Sequence, residues 1–406
     1  MSRPSMAAAG PLLNRLVTNH PEAINFATGR PRDGDLPAEG MTRWLELCIA
    51  DLAKQEGKAE AEIRRTLGQY AHNAGLLRAP LADYFAATGL GPVDPASLLI
   101  SNGSQEAIVL CLAALVGRDK VCLSADPVYF GLIGAADNFG FALETVPHDD
   151  QFVDRLEQRL AQSDAPSVGL IYTIPDYDNP TGRLMSTRDR ERLVDLAERY
   201  DLHLLEDAVY RRYCFDGAPL PTLKSLDRSG RVIHVESFSK TVLPGLRLAV
   251  MIAEGSLSDG TPLIARLTQV KSALSVTTTP LVQAILVGLL LDCDHDLDGF
   301  VAPRVAQVRR NRDRLVQALA RAFPGSNNGV WPIPQGGFFL CADPNQSFTP
   351  EDTIALAEQA GVIIPPLSLF SPSGAWPNHV RLAFSAADED AIDAGIACWA
   401  AYLGQR

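Results

Sequence analysis

The sequence has few cysteines, no long apolar run and no excess of positive charge. Its 406 residues include seven cysteines, which are scattered singly rather than paired at disulfide or metal-ligand spacing. Isolated cysteines in an odd number indicate reduced thiols, so neither a disulfide framework nor a metal site is expected. The formal net charge of -12 argues against nucleic acid as a partner, because a phosphate backbone requires a positive surface.

Apolar stretches are short along the whole chain. The N-terminal residues contain Arg3 and several alanines but no apolar segment of signal-peptide length. No later stretch reaches the roughly 20 apolar residues that span a bilayer. The sequence therefore predicts a cytoplasmic protein without membrane association. Since 47% of the residues are apolar, the chain can bury a substantial core.

A repeated alternation of short apolar strands and amphipathic helices begins near residue 98. The predicted strands are residues 98–100, 120–123, 142–146, 168–171, 202–205, 232–235 and 247–252. Because several of these strands are separated by helix-length segments, the pattern predicts an α/β fold. Its large domain would contain a mostly parallel, seven-stranded sheet covered by helices.

The two ends of the chain differ from this central pattern. Residues up to about Leu16 are predicted to be only partly ordered, with ordered structure beginning at Ile24. After Pro280 long helices appear, followed by short strands alternating with helices, which indicates a smaller α+β domain. We divide the chain into an N-terminal segment joining the small domain (1–45), a large cofactor-binding domain (46–290) and a C-terminal small domain (291–406).

A short segment after the predicted strand 232–235 carries Ser237, Ser239, Lys240 and Arg247. A lysine at a strand end, partly desolvated and beside an arginine, has a lowered pKa and can form a Schiff base. The serine hydroxyls and Arg247 are donors suited to a phosphate. The alternative is a surface turn with a solvated lysine.

Gly103, Ser104 and Gln105 follow the predicted strand 98–100 and open a helix. A glycine turn at a helix start offers free backbone amides and a hydroxyl to an anion. Ser104 could instead be an ordinary helix N-cap. With the serines and arginine above, the segment would form the second half of a phosphate site.

Four further side chains suit a planar cationic ring. Asp207 ends an apolar strand, where a carboxylate requires a protonated partner such as a pyridinium, or a structural arginine. Tyr129 could stack on a ring or pack in the core. Asn179 and Tyr210 could bond a phenolic oxygen.

Gly29 and Arg381 suit a carboxylate. Gly29 lies in a turn after an apolar strand and permits close approach of a ligand. Arg381 stands alone in an apolar strand, where a bound carboxylate or a structural ion pair would satisfy it.

Taken in order, these motifs resemble the fold-type I pyridoxal-phosphate enzymes and, more narrowly, the class I/II aminotransferases. The residues that carry the resemblance are Gly103-Ser104-Gln105, Pro127 with Tyr129, Asn179-Pro180-Thr181-Gly182, Asp207 with Tyr210, Ser237-Phe238-Ser239-Lys240, Pro244-Gly245-Leu246-Arg247 and Arg381-Leu382. Glu206-Asp207, residues 220–226 and residues 230–233 are most similar to the kynurenine and 2-aminoadipate aminotransferase branch.

The resemblance implies a homodimer with shared active sites that uses pyridoxal 5'-phosphate. The enzyme would move an amino group from an L-amino acid to a 2-oxo acid by a ping-pong mechanism. Lys240 would hold the cofactor and shuttle the substrate proton, Asp207 would keep the ring nitrogen protonated, and Tyr129 would stack on the ring. The phosphate would be held by Gly103, Ser104, Gln105, Ser237, Ser239, Arg247 and the neighbouring subunit's Tyr70. The phenolic oxygen would be bonded by Asn179 and Tyr210. The substrate carboxylate would be bound by Arg381, Gly29 and Asn179.

Three departures from the family pattern concern the substrate. The segment 75–78 is shorter than usual, Pro365-Pro366 replaces Pro-Gly, and Asp178 replaces a neutral residue. Asp176 and Asp178 would favour a cationic, arginine-like substrate if they lined a cleft, and otherwise they are solvated loop residues.

Two other functions remain open at this point. An enzyme with the same cofactor could divert the reaction to elimination, cyclisation or oxidation. A regulatory ligand-binding module is the other alternative, because some transcription factors carry this domain behind a helix-turn-helix. The family-like residues begin at Ile24, which leaves no room for a DNA-reading domain, and the acidic charge also disfavours this function.

Overall fold

A computed structural model of the chain describes residues 9–324 and 332–405. Residues 1–8 of the predicted N-terminal segment, together with 325–331 and 406 of the predicted small domain, lie outside this description. In the described ranges no helix combines the length and the apolar character needed to cross a bilayer. Within the same ranges no cluster of histidine, cysteine and acidic side chains is arranged to ligate a metal ion.

The centre of the molecule is a seven-stranded sheet. Its strands are β2 (Leu98–Ser101), β3 (Val121–Asp126), β4 (Ala142–Pro147), β5 (Val168–Thr173), β6 (His203–Asp207), β7 (Val232–Ser237) and β8 (Ala249–Ala253), in the order β2-β8-β7-β6-β5-β3-β4. All neighbours pair in parallel except β8, which is antiparallel to both β2 and β7. The predicted mostly parallel sheet of seven strands is therefore confirmed.

Several strands extend further at their carboxyl ends than the sequence predicts. Asp207 and Ser237 are the last residues of β6 and β7, whereas Arg247 precedes β8 in a left-handed conformation with φ of 50°. The apolar run ends before the strand does, although the polar residues at the strand end are also buried. The polar residue at the end remains in the ladder because its backbone still pairs with the neighbouring strand, as Asp207 does with Val235.

The helices are α1 (Ala9–Asn19), α2 (Met41–Glu56), α3 (Glu60–Leu67), α4 (Arg78–Phe85), α5 (Ser104–Cys111), α6 (Phe130–Phe139), α7 (Phe152–Leu160), α8 (Thr187–Arg199), α9 (Leu223–Leu226), α10 (Leu263–Leu274), α11 (Pro280–Asp292), α12 (Leu297–Ala322), α13 (Pro350–Ala360) and α14 (Glu389–Gly404). Apolar side chains of α5, α6 and α10 pack on one face of the sheet. Those of α7, α8 and α9 pack on the other face, and α2, α4 and α11 cover the β2–β8 edge. The sheet is thus buried on both faces, as expected for parallel strands.

The remaining strands are short and join the two ends of the chain. β1 (Ile24–Asn25) pairs in parallel with β10 (Val362–Ile363), and β9 (Phe339–Ala342) pairs antiparallel with β11 (Val380–Ala383). The N-terminal strand therefore packs with the C-terminal elements. The predicted boundary at residue 45 falls inside α2, which packs against α11. The three-part division of the chain remains a prediction.

The expectation that the chain is only partly ordered up to about Leu16 is wrong for the residues described. α1 begins at Ala9, and its Leu13 and Leu16 are buried against Ile363, Leu367 and Phe370. Its sequence has Gly10, Pro11 and Asn14, which are weak helix formers, so packing rather than local propensity stabilises it.

Candidate active site

A cavity of about 240 Å³ lies at the carboxyl ends of β5, β6 and β7. Open α/β sheets commonly bind ligands at this edge. Of the predicted site residues, the cavity is lined by Gly29, Ser104, Gln105, Tyr129, Asn179, Asp207, Tyr210, Ser237, Ser239, Lys240, Arg247 and Arg381. Gly103 and Tyr70 are not among the lining residues, and Tyr70 is 86% exposed.

Lys240 is placed in the cavity by the turn that follows β7. Its Nζ donates a hydrogen bond to the backbone carbonyl of Gly29 at 2.7 Å. Burial, assisted by the positive charges of Arg247 and Arg381, lowers the pKa of Lys240 to about 8. The neutral, nucleophilic amine is therefore far more populated near physiological pH than that of an ordinary lysine, although the protonated form still predominates.

Asp207 is the last residue of β6, and its two carboxylate oxygens differ in their hydrogen bonding. Oδ2 accepts a hydrogen bond from the hydroxyl of Tyr172 at 3.1 Å, while Oδ1 is buried with no partner. Burial raises the pKa of Asp207 to about 6, and the Tyr172 hydrogen bond opposes that rise. A buried acceptor without a donor is costly, so Oδ1 fits a ligand that brings a proton, such as a protonated ring nitrogen.

Two segments distant in sequence meet to form an anion site. Gly103, with φ of +81°, precedes α5, and a Cβ added to it would lie 2.7 Å from Nη2 of Arg247. Arg247 Nη1 in turn lies 3.4 Å from Oγ of Ser239. The first amides of α5, two serine hydroxyls and a guanidinium therefore converge, which is the donor set that a phosphate requires.

A buried ion pair supports this anion site from behind. Glu106 accepts from the Asn102 amide at 2.6 Å and pairs with Nζ of Lys271 at 2.9 Å. Lys271 is fully buried, and Ser275 is its second acceptor at 2.9 Å. These bonds fix the turn before Gly103 in one conformation.

Tyr129 is positioned by Gln105. The Tyr129 hydroxyl donates to Oε1 of Gln105 at 3.2 Å, and Nε2 of Gln105 donates to the carbonyl of Gly131 at 2.8 Å. Burial raises the pKa of Tyr129 to about 12, so the phenol stays protonated. Gln105 thus orients the ring, and the second N–H of its side-chain amide is left for another acceptor.

Arg381 is buried between two aromatic rings. Its guanidinium carbon lies 4.5 Å from the ring centre of Phe339 and 4.3 Å from that of Phe370. It donates to Oδ1 of Asn179 at 2.9 Å and to the backbone carbonyl of Ala27. Burial lowers the pKa of Arg381 to about 10, and its buried Nε has no partner, so it is a suitable receptor for a carboxylate.

Several residues that contribute to the cavity were not predicted from the sequence. Gly10, Leu13 and Asn14 reach it from α1, and Thr28 and Phe130 line it beside Gly29 and Tyr129. The proximity of Thr28 and Phe130 to predicted residues could have indicated them. Tyr172 could have been predicted from the alternation of side chains along β5, which places it on the same face of the strand as Leu170.

Asp176 and Asp178 do not line the cavity. Both carboxylates are buried, and Asp176 forms ion pairs with Arg190 at 2.8 Å and Arg211 at 3.4 Å. Asp178 accepts from the amide and hydroxyl of Thr181, and burial raises the pKa of Asp178 to about 7. They hold the loop that carries Asn179, and neither is available to a cationic substrate.

Comparisons with known proteins agree with this geometry. A family model described as aminotransferase class I and II matches residues 22–397. The chain is 32% identical over 402 residues to (S)-3,5-dihydroxyphenylglycine transaminase of Amycolatopsis orientalis, covering 97% of this chain and 91% of that protein. It is 30% identical over 389 residues to 2-aminoadipate transaminase of Thermus thermophilus, covering 94% and 90%. The solved kynurenine aminotransferase of Pyrococcus horikoshii superposes with a TM-score of 0.83 at 25% identity, covering 99% and 95%.

Proposed function

Because the chain belongs to the aminotransferase class I and II family and is a pyridoxal-phosphate-dependent aminotransferase, we propose that the cavity around Lys240 is its active site. One observation carries this proposal. The Lys240 amine and the unpartnered Oδ1 of Asp207 line the same cavity, beside an anion site built by Gly103, Ser239 and Arg247. This arrangement fits a phosphorylated aldehyde with a protonated ring nitrogen.

Bound pyridoxal 5'-phosphate supplies an amine-reactive aldehyde and an electron-withdrawing ring. Ser104, Ser237, Ser239, Arg247 and the amides at the start of α5 would hold its phosphate. Asp207 would bind the ring nitrogen through Oδ1, while Tyr172 keeps the other oxygen occupied. Tyr129 would lie on the ring, and Asn179 and Tyr210, whose side chains are 3.5 Å apart, would bond its phenolic oxygen.

The substrate carboxylate would bind Arg381, with Asn179 and the Gly29 backbone beside it. That anchor fixes the Cα of the amino acid near Lys240, because Nζ of Lys240 already contacts the carbonyl of Gly29. Lys240 would take the proton from Cα and later return it, which a pKa of about 8 permits in both directions near neutral pH.

We further propose a neutral aromatic amino acid as the amino donor. The cations that line the cavity are Lys240, Arg247 and Arg381, all of them already assigned. The part of the cavity left for the substrate side chain is lined by apolar residues and by two polar ones. These residues are Gly10, Leu13, Asn14, Thr28, Phe130 and Ile174. Among the described lining residues none could pair with a distal carboxylate or ammonium, whereas Asn14 and Thr28 could bond ring hydroxyls.

The name of one relative supports this donor class. The Amycolatopsis orientalis protein is named for (S)-3,5-dihydroxyphenylglycine, an aromatic amino acid with two ring hydroxyls. The arginine-like donor considered from the sequence loses its basis, since Asp176 and Asp178 are engaged elsewhere.

We also propose a homodimer in which Tyr70 completes the neighbouring active site. Tyr70 is exposed on its own subunit, as are the apolar side chains of Met41, Leu47, Leu274 and Leu281. These residues belong to, or directly follow, α2, α3, α10 and α11, which flank one edge of the sheet. A cytoplasmic location remains part of the proposal and is supported by seven free cysteines.

A donor panel followed by absorbance tests the proposal. The purified enzyme is mixed with single amino acids in the absence of a 2-oxo acid, and conversion of the cofactor to its amine form is recorded. We expect 3,5-dihydroxyphenylglycine, tyrosine and phenylalanine to convert it with kcat/KM at least about tenfold above 2-aminoadipate and arginine, because burying an unpaired charge is costly. Asn14→Leu should reduce the advantage of hydroxylated donors over phenylalanine.

Matched variants and products decide the outcome. Lys240→Ala should lose conversion, whereas Lys54→Ala, at an exposed position on α2, should retain it. Release of ammonia, a ring product or hydrogen peroxide without dependence on a 2-oxo acid would instead identify elimination, cyclisation or oxidation. Equal rates with 2-aminoadipate would reject the aromatic donor class.

A further inference from the structure

A second and larger cavity, of about 790 Å³, lies on the opposite face of the sheet. His234 and Glu236 of β7 line it, whereas Ser237 of the same strand lines the first cavity. Successive side chains of a strand point to opposite faces, so the sheet separates the two cavities. The outer wall of the second cavity is α12, and its volume is in the range of small-molecule sites.

The charges around the second cavity favour an anion. Arg211 lines it and shares the single carboxylate of Asp176 with the fully buried Arg190. Arg309 lines it from α12 and shares Asp216, at 2.9 Å, with Arg312. Because each acid is divided between two guanidinium groups, Arg211 and Arg309 keep donors for a further acceptor.

The two carboxylates that line the second cavity are already occupied. Glu236 accepts from Nε of Arg212 at 2.9 Å and from the Tyr84 hydroxyl at 2.8 Å. Asp298 accepts from Nη1 of Arg212 at 2.5 Å. Both lining acids are therefore engaged by Arg212, and the three guanidinium groups of the lining, Arg211, Arg212 and Arg309, outnumber its two carboxylates.

The rest of the lining is mainly apolar. Phe215, Leu220 and Val305 provide surface for a ring or a branched chain, and Ala302 and Ala306 of α12 leave room for it. His234 adds one polar contact, since its Nδ1 lies 2.8 Å from Glu206 and its other nitrogen remains to bond a ligand.

We propose that the second cavity is a regulatory site for a small organic anion with an aromatic or branched apolar body. The segment that follows β6 joins this site to the first cavity. Asp207 and Tyr210 face the first cavity, while Ala208, Arg211 and Arg212 line the second. A ligand bound to Arg211 therefore acts on the same short segment that holds Asp207, and it changes the rate of the enzyme without entering the active site.

The test uses a matched pair of fluorescent probes on the cofactor-loaded enzyme. 8-Anilinonaphthalene-1-sulfonate carries an aromatic body and a negative charge, and N-phenyl-1-naphthylamine has the same body without the charge. We expect saturable binding of the sulfonate at a single site per chain, about tenfold or more tighter than the neutral probe, because the charge-assisted bonds to arginine are lost without it. Equal affinity for the two probes would overturn the anion site.

Variants locate the bound probe. The double variant Arg211→Met/Arg309→Met leaves Asp176 paired with Arg190 and Asp216 paired with Arg312, so the fold is kept while the free donors are removed. It should weaken sulfonate binding at least about tenfold, because the charge-assisted hydrogen bonds of both arginines to the sulfonate are lost. Arg188→Met, at an exposed arginine on α8 outside the cavity, is the control and should bind as the wild type does.

A cavity-filling variant tests the regulation. Ala306→Trp should abolish sulfonate binding while the circular dichroism spectrum and Tm stay near wild type. Saturating sulfonate should change kcat of the wild type at least about twofold and leave that of Ala306→Trp unchanged. An equal effect on both enzymes would place the probe in the active site and refute the proposal, as would binding with no change in rate.

Discussion

The protein moves the pKa values of Lys240 and Asp207 toward each other. Burial lowers the first from 10.5 to about 8 and raises the second from 3.8 to about 6. Both groups thereby change protonation state close to neutral pH, where a proton shuttle and a ring partner have to operate. The same desolvation acts in opposite directions on a base and an acid.

The lowered pKa of Lys240 predicts selective labelling of the cofactor-free protein. Only the neutral amine reacts with acetic anhydride, so Lys240 should gain reactivity as the pH rises through about 8, whereas an exposed lysine gains it near 10.5. Peptide mass spectrometry after brief labelling between pH 6 and pH 10, about two units on either side of that midpoint, would record the profile of Lys240. The exposed Lys54 is the internal control, and identical profiles for the two lysines would contradict the prediction.

At the residue scale, the sequence predicts which side chains meet but not how each is satisfied. Lys240, Asp207, Arg247 and Arg381 all line one cavity, as their motifs indicated. Asp178 is different, because its partner Thr181 lies in the same loop and only the folded turn reveals it. The sequence likewise indicates Tyr172 only as a core residue, and the structure shows that its hydroxyl donates a hydrogen bond to Asp207.

At the scale of elements, the junction of β2 and α5 depends on a glycine. Gly103 adopts φ of +81°, and Nη2 of Arg247 occupies the space that a Cβ would need. Gly103→Ala should therefore weaken cofactor affinity about tenfold or more, since backbone strain of about 1–3 kcal/mol adds to displacement of the guanidinium. Titration of the cofactor-free variant, followed by absorbance, would measure the change.

Gly134→Ala is the matched control for this substitution. Gly134 lies inside α6, and an added Cβ would meet nothing within 4 Å. It should leave cofactor affinity unchanged and stabilise the helix by up to about 1 kcal/mol. Similar losses of affinity in both variants would show that the effect is not specific to the anion site.

Elements with a clear apolar period were predictable, whereas those stabilised by distant packing were not. The seven strands of the sheet were found because each is a short buried run between turn residues. α1 was missed because Gly10 and Pro11 weaken its helical pattern, and its apolar face packs against residues distant in sequence, such as Phe130 and Ile363. Asp207 was correctly placed at the end of β6, although the predicted strand range stopped at residue 205.

At the scale of the whole molecule, the proposed dimer predicts complementation between subunits. If Tyr70 completes the neighbouring site, a mixed dimer of Lys240→Ala and Tyr70→Ala subunits carries both defects in one site and none in the other. Equal mixing by co-refolding gives mixed dimers as half of the population, so about a quarter of wild-type activity should return. Each variant alone would show little activity, and a mixture no more active than the mean of the two would reject the shared site.

Apart from Tyr70, the residues proposed to hold the cofactor lie between Gly103 and Arg247, whereas Arg381 stands far later in the chain. The position of the Arg381 side chain is fixed only when β1 pairs with β10 and β11 pairs with β9. During synthesis, which proceeds from the N-terminus, the cofactor-holding sheet is thus complete before the substrate receptor has been made. In the proposed assignment, a nascent chain would therefore present Lys240 to the cofactor, and shield this amine from other aldehydes, before any amino acid could bind.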